Sequence, residues 1–213
     1  SILLLEGARK TMAQEGFALN METIDEGNTG QLAQLLFDTR SVTKLRIKNL
    51  KWNILKSALE SKPDLRFDNL EKLDLSYNGI DERMIVEIND FLFSRMPRLT
   101  SLELWVNQIG DVGATAIANS QHMASLTSLD LPNNHIGHGG ARAIANSQYM
   151  ASLTSLYIYN NQIGYVGARA IANSPHMASL TSLDLSDNGM DDEGATAIAN
   201  SEHMKNLTTL YLG

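Results

Sequence analysis

Two stretches of this chain read, in isolation, as ligand sites. "HIGHGG", His135 to Gly140, sets two histidines, a residue type that ligates zinc, three residues apart. "DLSDNGMDDEGA", Asp184 to Ala195, opens like a calcium loop, with oxygen-bearing side chains at its first, third and fifth positions and glycine at its sixth. Its twelfth position, where a bidentate glutamate closes the coordination shell, is Ala195, and "DLSYNGIDERMI" from Asp74 fails in the same way at Ile85. Zinc would need at least one further ligand beside the two histidines, and the chain has no cysteine. The glycine-rich turns offer helix N-termini to an anion, but they lack the Lys and Ser/Thr of a phosphate-binding loop. "NLT" at Asn206 is a glycosylation sequon only in a secreted eukaryotic setting. No Ser/His/Asp set and no carboxylate pair stands apart. The expectation is therefore no catalytic residue, no metal and no cofactor.

These motifs lose their individuality once the elements that carry them are aligned. "GARAIANSQYMASLTSL" begins at Gly140 and "GARAIANSPHMASLTSL" begins 27 residues later at Gly167. The units Leu126 to Ser152 and Leu153 to Ser179 share 19 of 27 positions. Starts fall at Leu99, Leu126, Leu153, Leu180 and Leu207, with looser copies at Leu70 and Val42, which makes seven. In this register the His135 position is Gln108, Gln162 or Gly189 elsewhere, and the His138 position is Asp111, Tyr165 or Asp192. Both histidines thus occupy variable sites. His122, His176 and His203 share one column with Tyr149, which reads as a polar helix terminus facing water.

Each unit follows LxxLxLxxNxIGxxGAxxIA, as in "LTSLELWVNQIGDVGATAIA" from Leu99. Alternation at Leu102 and Leu104 predicts a short strand, and the spacing of Ala114, Ile117 and Ala118 predicts a helix. The Asn at 78, 107, 134, 161 and 188 recurs where the strand turns inward, because a buried turn leaves backbone groups that a side-chain amide can satisfy. Gly110, Gly137 and Gly164 are read as relaxing the loop, and Gly113, Gly140, Gly167 and Gly194 as letting each helix approach its neighbour. Strands stack about 4.8 Å apart and helices nearly 10 Å apart, so such an array curves with its strands inside.

This pattern resembles the leucine-rich repeat, and its unit length, loop glycines and helical half are similar to the ribonuclease-inhibitor-like subfamily. The resemblance covers roughly residues 42 to 213. It implies an α/β fold: a right-handed solenoid with a concave parallel sheet and convex helices. Residues 41–213 would form the solenoid, a fragment of a longer array. Residues 1–40 read as two helical stretches around a glycine-containing loop, an N-terminal helical cap or incomplete repeat.

The chain has 213 residues, 43% hydrophobic and 19% charged, enough to bury a core. Residues 1 to 66 carry ten Lys/Arg against eight Asp/Glu, and residues 67 to 213 seven against sixteen, so the larger part repels nucleic acid. No apolar run approaches the roughly 18 residues of a membrane helix, and "SILLL" is too short for a signal-peptide core. The lack of cysteine fits a reducing compartment such as the cytoplasm.

If the framework only builds a scaffold, specificity falls to the outward positions of each strand. One column reads Arg46, Asp74, Glu103, Asp130, Tyr157, Asp184, Tyr211, and the next reads Lys48, Ser76, Trp105, Pro132, Tyr159, Ser186, Gly213. A third, Lys44, Lys72, Ser101, Ser128, Ser155, Ser182, Thr209, is mostly small. Exposed rings beside carboxylates suit a protein partner with a basic surface. The expected partner-binding residues are Asp74, Glu103, Trp105, Asp130, Tyr157, Tyr159, Asp184 and Tyr211. The run Lys44, Arg46, Lys48, Lys51 reads as a solvated end face. Near-identical units resemble repeat proteins that bacteria deliver into the host cytosol, which implies an effector acting on host proteins. Two alternatives remain: the targeting arm of a larger enzyme such as a ubiquitin ligase, and the ligand-sensing arm of an immune-type receptor. The oligomeric state is not legible.

Overall fold

The computed structural model describes residues 16–38 and 41–213. Eight short strands, β1 Phe17–Asn20, β2 Lys44–Lys48, β3 Lys72–Asp74, β4 Ser101–Glu103, β5 Ser128–Asp130, β6 Ser155–Tyr157, β7 Ser182–Asp184 and β8 Thr209–Tyr211, alternate with helices. The helices are α1 Thr29–Asp38, α2 Trp52–Glu60, α3 Glu82–Phe91, α4 Gly110–Ala118, α5 His138–Asn146, α6 Gly164–Ala172 and α7 Asp192–Ala199. All eight strands form one parallel sheet in chain order. Strand–helix–strand crossovers of this kind wind to the right, and the difference in spacing between strands and helices bends the array into a solenoid with a concave sheet and convex helices.

The strand register is the one the repeat predicts. Leu102 pairs with Leu129, Leu129 with Leu156 and Leu156 with Leu183, so each leucine column forms a continuous ladder. From Leu70 to Leu185 the inward leucines and isoleucines are 0–1% exposed. Full burial of each such side chain contributes about 1.5–3 kcal/mol.

The N-terminal segment departs from the sequence expectation. Phe17–Asn20 is a strand rather than part of a helix, and it pairs in parallel with β2 through Phe17↔Leu45 and Leu19↔Ile47. Alternation of buried Phe17 and Leu19 with exposed Ala18 and Asn20 is the strand period. The helix expected before it lies outside the described residues. Because β1 covers β2, the basic run from Lys44 to Lys51 does not sit at an end of the sheet. Lys51 Nζ instead donates to the carbonyls of Glu22 (2.9 Å) and Ile24 (2.7 Å).

The asparagine column does what the inward turn requires. Asn134 is 0% exposed. Its Nδ2 donates to the carbonyls of Leu104 (2.8 Å), Leu131 (3.1 Å) and Pro132 (3.0 Å), and its backbone N–H donates to Asn161 Oδ1 (3.0 Å). Asn107, Asn161 and Asn188 repeat the arrangement in their own units. Leu50, which replaces asparagine in the second unit, has its N–H satisfied by Asn78 Oδ1 from the next unit (2.8 Å).

The residue before this column takes a left-handed backbone in successive units: Asn49, Tyr77, Val106, Asn133, Asn160 and Asp187 have φ between 51° and 59°. Among the loop glycines, Gly110 (φ 58°) and Gly164 (φ 59°) use the same region, whereas Gly137 is extended at φ −95° and His135 takes φ 58° instead. The expectation for Gly137 therefore changes. Its N–H, with that of Gly140, donates to Asp111 Oδ1 at 2.7 and 2.9 Å, so a side chain of α4 caps the helix of the following unit. A Cβ at Gly139 would lie 2.7 Å from Asp111 Oδ2. Gly113 and Gly167 meet the expectation of close approach: an added Cβ would lie 2.5 Å from Ile85 Cγ2 in the first and 3.0 Å from Ala141 Cβ in the second.

Candidate interaction surface

The outward columns read from the sequence become a physical ladder. Arg46 pairs with Asp74, Asp74 with Glu103, Glu103 with Asp130, Asp130 with Tyr157, Tyr157 with Asp184, and Asp184 with Tyr211, each on adjacent parallel strands. Neighbouring members sit about 4.8 Å apart. The residues are contiguous, but they are not equally available.

Asp74 is only 9% exposed, forms an ion pair with Arg46, and accepts a hydrogen bond from the Ser76 N–H (2.9 Å). It is engaged within the fold. Asp184 accepts from the Ser186 N–H (2.9 Å) and Ser186 Oγ (2.7 Å), yet remains half-buried rather than enclosed. Tyr157 and Tyr159 are also half-buried, and the Tyr157 hydroxyl accepts from Ser182 Oγ (3.1 Å), which leans the ring toward the next strand. Tyr211 is 56% exposed on β8, four strands from Glu103.

The centre of the ladder carries the electrostatic signature. Burial pushes the Glu103 carboxyl above its ordinary range, and the charges of Asp74 and Asp130 push it further, against partial relief from Arg46 and Lys72. Burial likewise raises Asp130, while Trp105 and the Ser128 hydroxyl (3.3 Å) favour its charged form. Trp105 Nε1 lies near that carboxylate but is buried without a hydrogen bond of normal geometry. Two carboxylates that repel each other in a half-dry environment, with an indole N–H beside them, make a place where a cation gains and an anion loses.

Asp191 caps α7 by accepting from the N–H groups of Glu193 (3.0 Å) and Gly194 (3.1 Å). His122, His176 and His203 lie in short 3-10 turns, where Ser120, Ser174 and Ser201 accept from their backbone N–H groups. Among the described residues no group of three or more His, Asp or Glu could hold a metal ion. No helix among them is long and apolar enough to cross a membrane.

Sequence reasoning missed a second cluster, on the helices of the early units. Trp52 Nε1 and Lys56 Nζ both donate to Glu87 Oε2, at 2.9 and 3.1 Å, which holds the Glu87 carboxyl below its ordinary range. Trp52 meets Phe91 edge-on at 6.2 Å, and Arg95 lies 4.9 Å from the same ring. These units diverge most from the repeat, so no column marked the cluster; only the one-turn spacing of Trp52 and Lys56 hinted at it.

No curated protein matches the chain. A solved internalin from Listeria monocytogenes matches at 18% identity and a TM-score of 0.44, over 84% of this chain and 56% of its own. The present chain thus spans little more than half the length of that protein. Models of the leucine-rich repeat match residues 96–118, 122–145, 149–172 and 176–199, and a further one matches 69–91. Together they cover more than half of the 213 residues, and the chain belongs to the leucine-rich repeat family.

Proposed function

We propose that this chain is a non-catalytic scaffold whose concave face binds a protein partner through a basic surface. The observation that carries the reading is the pair Glu103 and Asp130: adjacent, half-buried, mutually repelling and flanked by Trp105, Tyr157 and Tyr159. A Lys or Arg from a partner relieves that repulsion, while the rings supply contact area at low entropic cost. Asp184 and Tyr211 extend the face toward the last strand, and Asp74 contributes through its field rather than by contact. The unit length and helical half support a ribonuclease-inhibitor-like subtype. The near-identity of the units from Leu126 to Ser179 supports a bacterial effector that meets its partner in a host cytosol.

Affinity capture from host-cell lysate tests this reading, with the wild-type chain as bait. Trp105→Ala and Tyr159→Ala baits should lose the captured protein, and an Arg142→Ala/Arg169→Ala bait, altered on the exposed side of α5 and α6, should retain it. The reverse pattern would assign binding to the helices.

A further inference from the structure

A groove of about 720 Å³ is lined by residues that follow the strands and precede the helices, beside the outward ladder of the sheet. Two columns of side chains line it. Tyr77, Val106, Asn133 and Asn160 come from the left-handed positions of four consecutive units, and Gln108, His135 and Gln162 come from the residues just after the buried asparagines. At one strand spacing per unit, the groove is about 14 Å long. It contains no Asp, Glu, Lys or Arg, in a chain whose net charge is −7. Neutral polar groups dominate its lining.

The lining offers paired donors and acceptors. Each Asn or Gln amide both donates and accepts, as does each hydroxyl of a polyol. The side chains of Gln108 and Gln162 make no hydrogen bond with other described residues, and Asn160 Nδ2 donates to Asn133 Oδ1, which leaves the Asn133 NH2 group and the Asn160 carbonyl oxygen to meet a ligand. Tyr77, 69% exposed, places an amphipathic ring at one end. The backbone, by contrast, is committed. The N–H groups of Tyr77, Val106, Asn133, Asn160, Gln108 and Gln162 all donate to carbonyls of adjacent units. An extended peptide has no edge to pair with here, so recognition falls to side chains.

We infer that this groove binds a neutral, linear oligosaccharide, with the amides reading successive hydroxyl pairs and Tyr77 stacking on a terminal sugar face. The strand spacing is close to the length of one pyranose residue, so equivalent amides meet equivalent hydroxyls. None of the acidic and aromatic residues assigned to the concave face lines this groove.

Isothermal titration of the full chain with cellohexaose, chitohexaose and maltohexaose is the test. Saturable binding of at least one is expected. Gln108→Ala/Gln162→Ala should weaken it roughly tenfold, since it removes two exposed amides without touching the core. Tyr77→Asn, which removes the ring but keeps a residue suited to φ 59°, should weaken it several-fold. Arg142→Ala on α5 should leave it unchanged. Failure of all three sugars to bind, or affinity that survives the double glutamine change, overturns the proposal.

Discussion

At the scale of single residues, two positions in adjacent units make opposite predictions. Asn134→Ala strips the carbonyls of Leu104, Leu131 and Pro132 of a shared donor inside the core, so the urea midpoint should fall by the equivalent of roughly 1 to 3 kcal/mol. Val106 is a β-branched residue at φ 51° where several units place Asn or Asp, and it is 39% exposed. Val106→Asn should therefore stabilise by about 1 kcal/mol, read from the same denaturation curve. A midpoint unchanged by the first or lowered by the second would contradict the geometry. The asparagine column was legible in the sequence because a polar side chain that recurs at a strict period beside buried leucines must be serving buried backbone groups. The left-handed position beside it was not, because Tyr77 and Val106 hide a backbone requirement that only Asn49, Asn133, Asn160 and Asp187 hint at.

At the scale of elements, the strand register was legible almost entirely, since the leucine pairs Leu45↔Leu73 through Leu183↔Leu210 are the sequence alignment made physical. What failed was β1. Phe17 precedes its partner Leu45 by the same 28 residues that separate Leu45 from Leu73, but Glu22 stands where the column asks for Asn, and the leucines of α1 pull the pattern toward helix. Caps that cross from one unit to the next were also invisible, because each unit was read by itself. Asp111 serves two N–H groups of the following unit, and Gly139 stands where neighbouring repeats have Val112 and Val166. Asp111→Ala should cost about 1 kcal/mol, and Gly139→Val, which drives a side chain into Asp111, should cost at least as much in a thermal melt. If Gly139→Val is neutral, the cross-unit cap is not holding α5.

At the scale of the molecule, charge and curvature converge on the middle of the sheet, where Glu103 and Asp130 have folded-state pKa values raised above their unfolded ones. A carboxyl of this kind favours the folded state most when protonated, so its contribution is present below the ordinary carboxylate pKa and is lost as pH rises through the raised value. Glu103→Gln/Asp130→Asn should accordingly flatten the decline in urea midpoint as pH rises above the ordinary carboxylate range. A cationic partner does the converse: it favours the charged forms, so binding releases protons and tightens as pH rises across the same range. The acid and aromatic columns were visible in the sequence as a departure from small residues, and the column sets Arg46 beside Asp74, but the burial that withdraws Asp74 from a partner depends on side-chain packing. The most direct measurement is the kinetics of the captured partner on immobilised wild type, Trp105→Ala, Glu103→Lys/Asp130→Lys and Arg142→Ala/Arg169→Ala. A concave binding face predicts faster dissociation for Trp105→Ala, worth about 2 kcal/mol or more, slower and less salt-dependent association for the charge reversal, and no change for the arginine pair. Unaltered rates for the first two variants, with binding lost in the third, would contradict it.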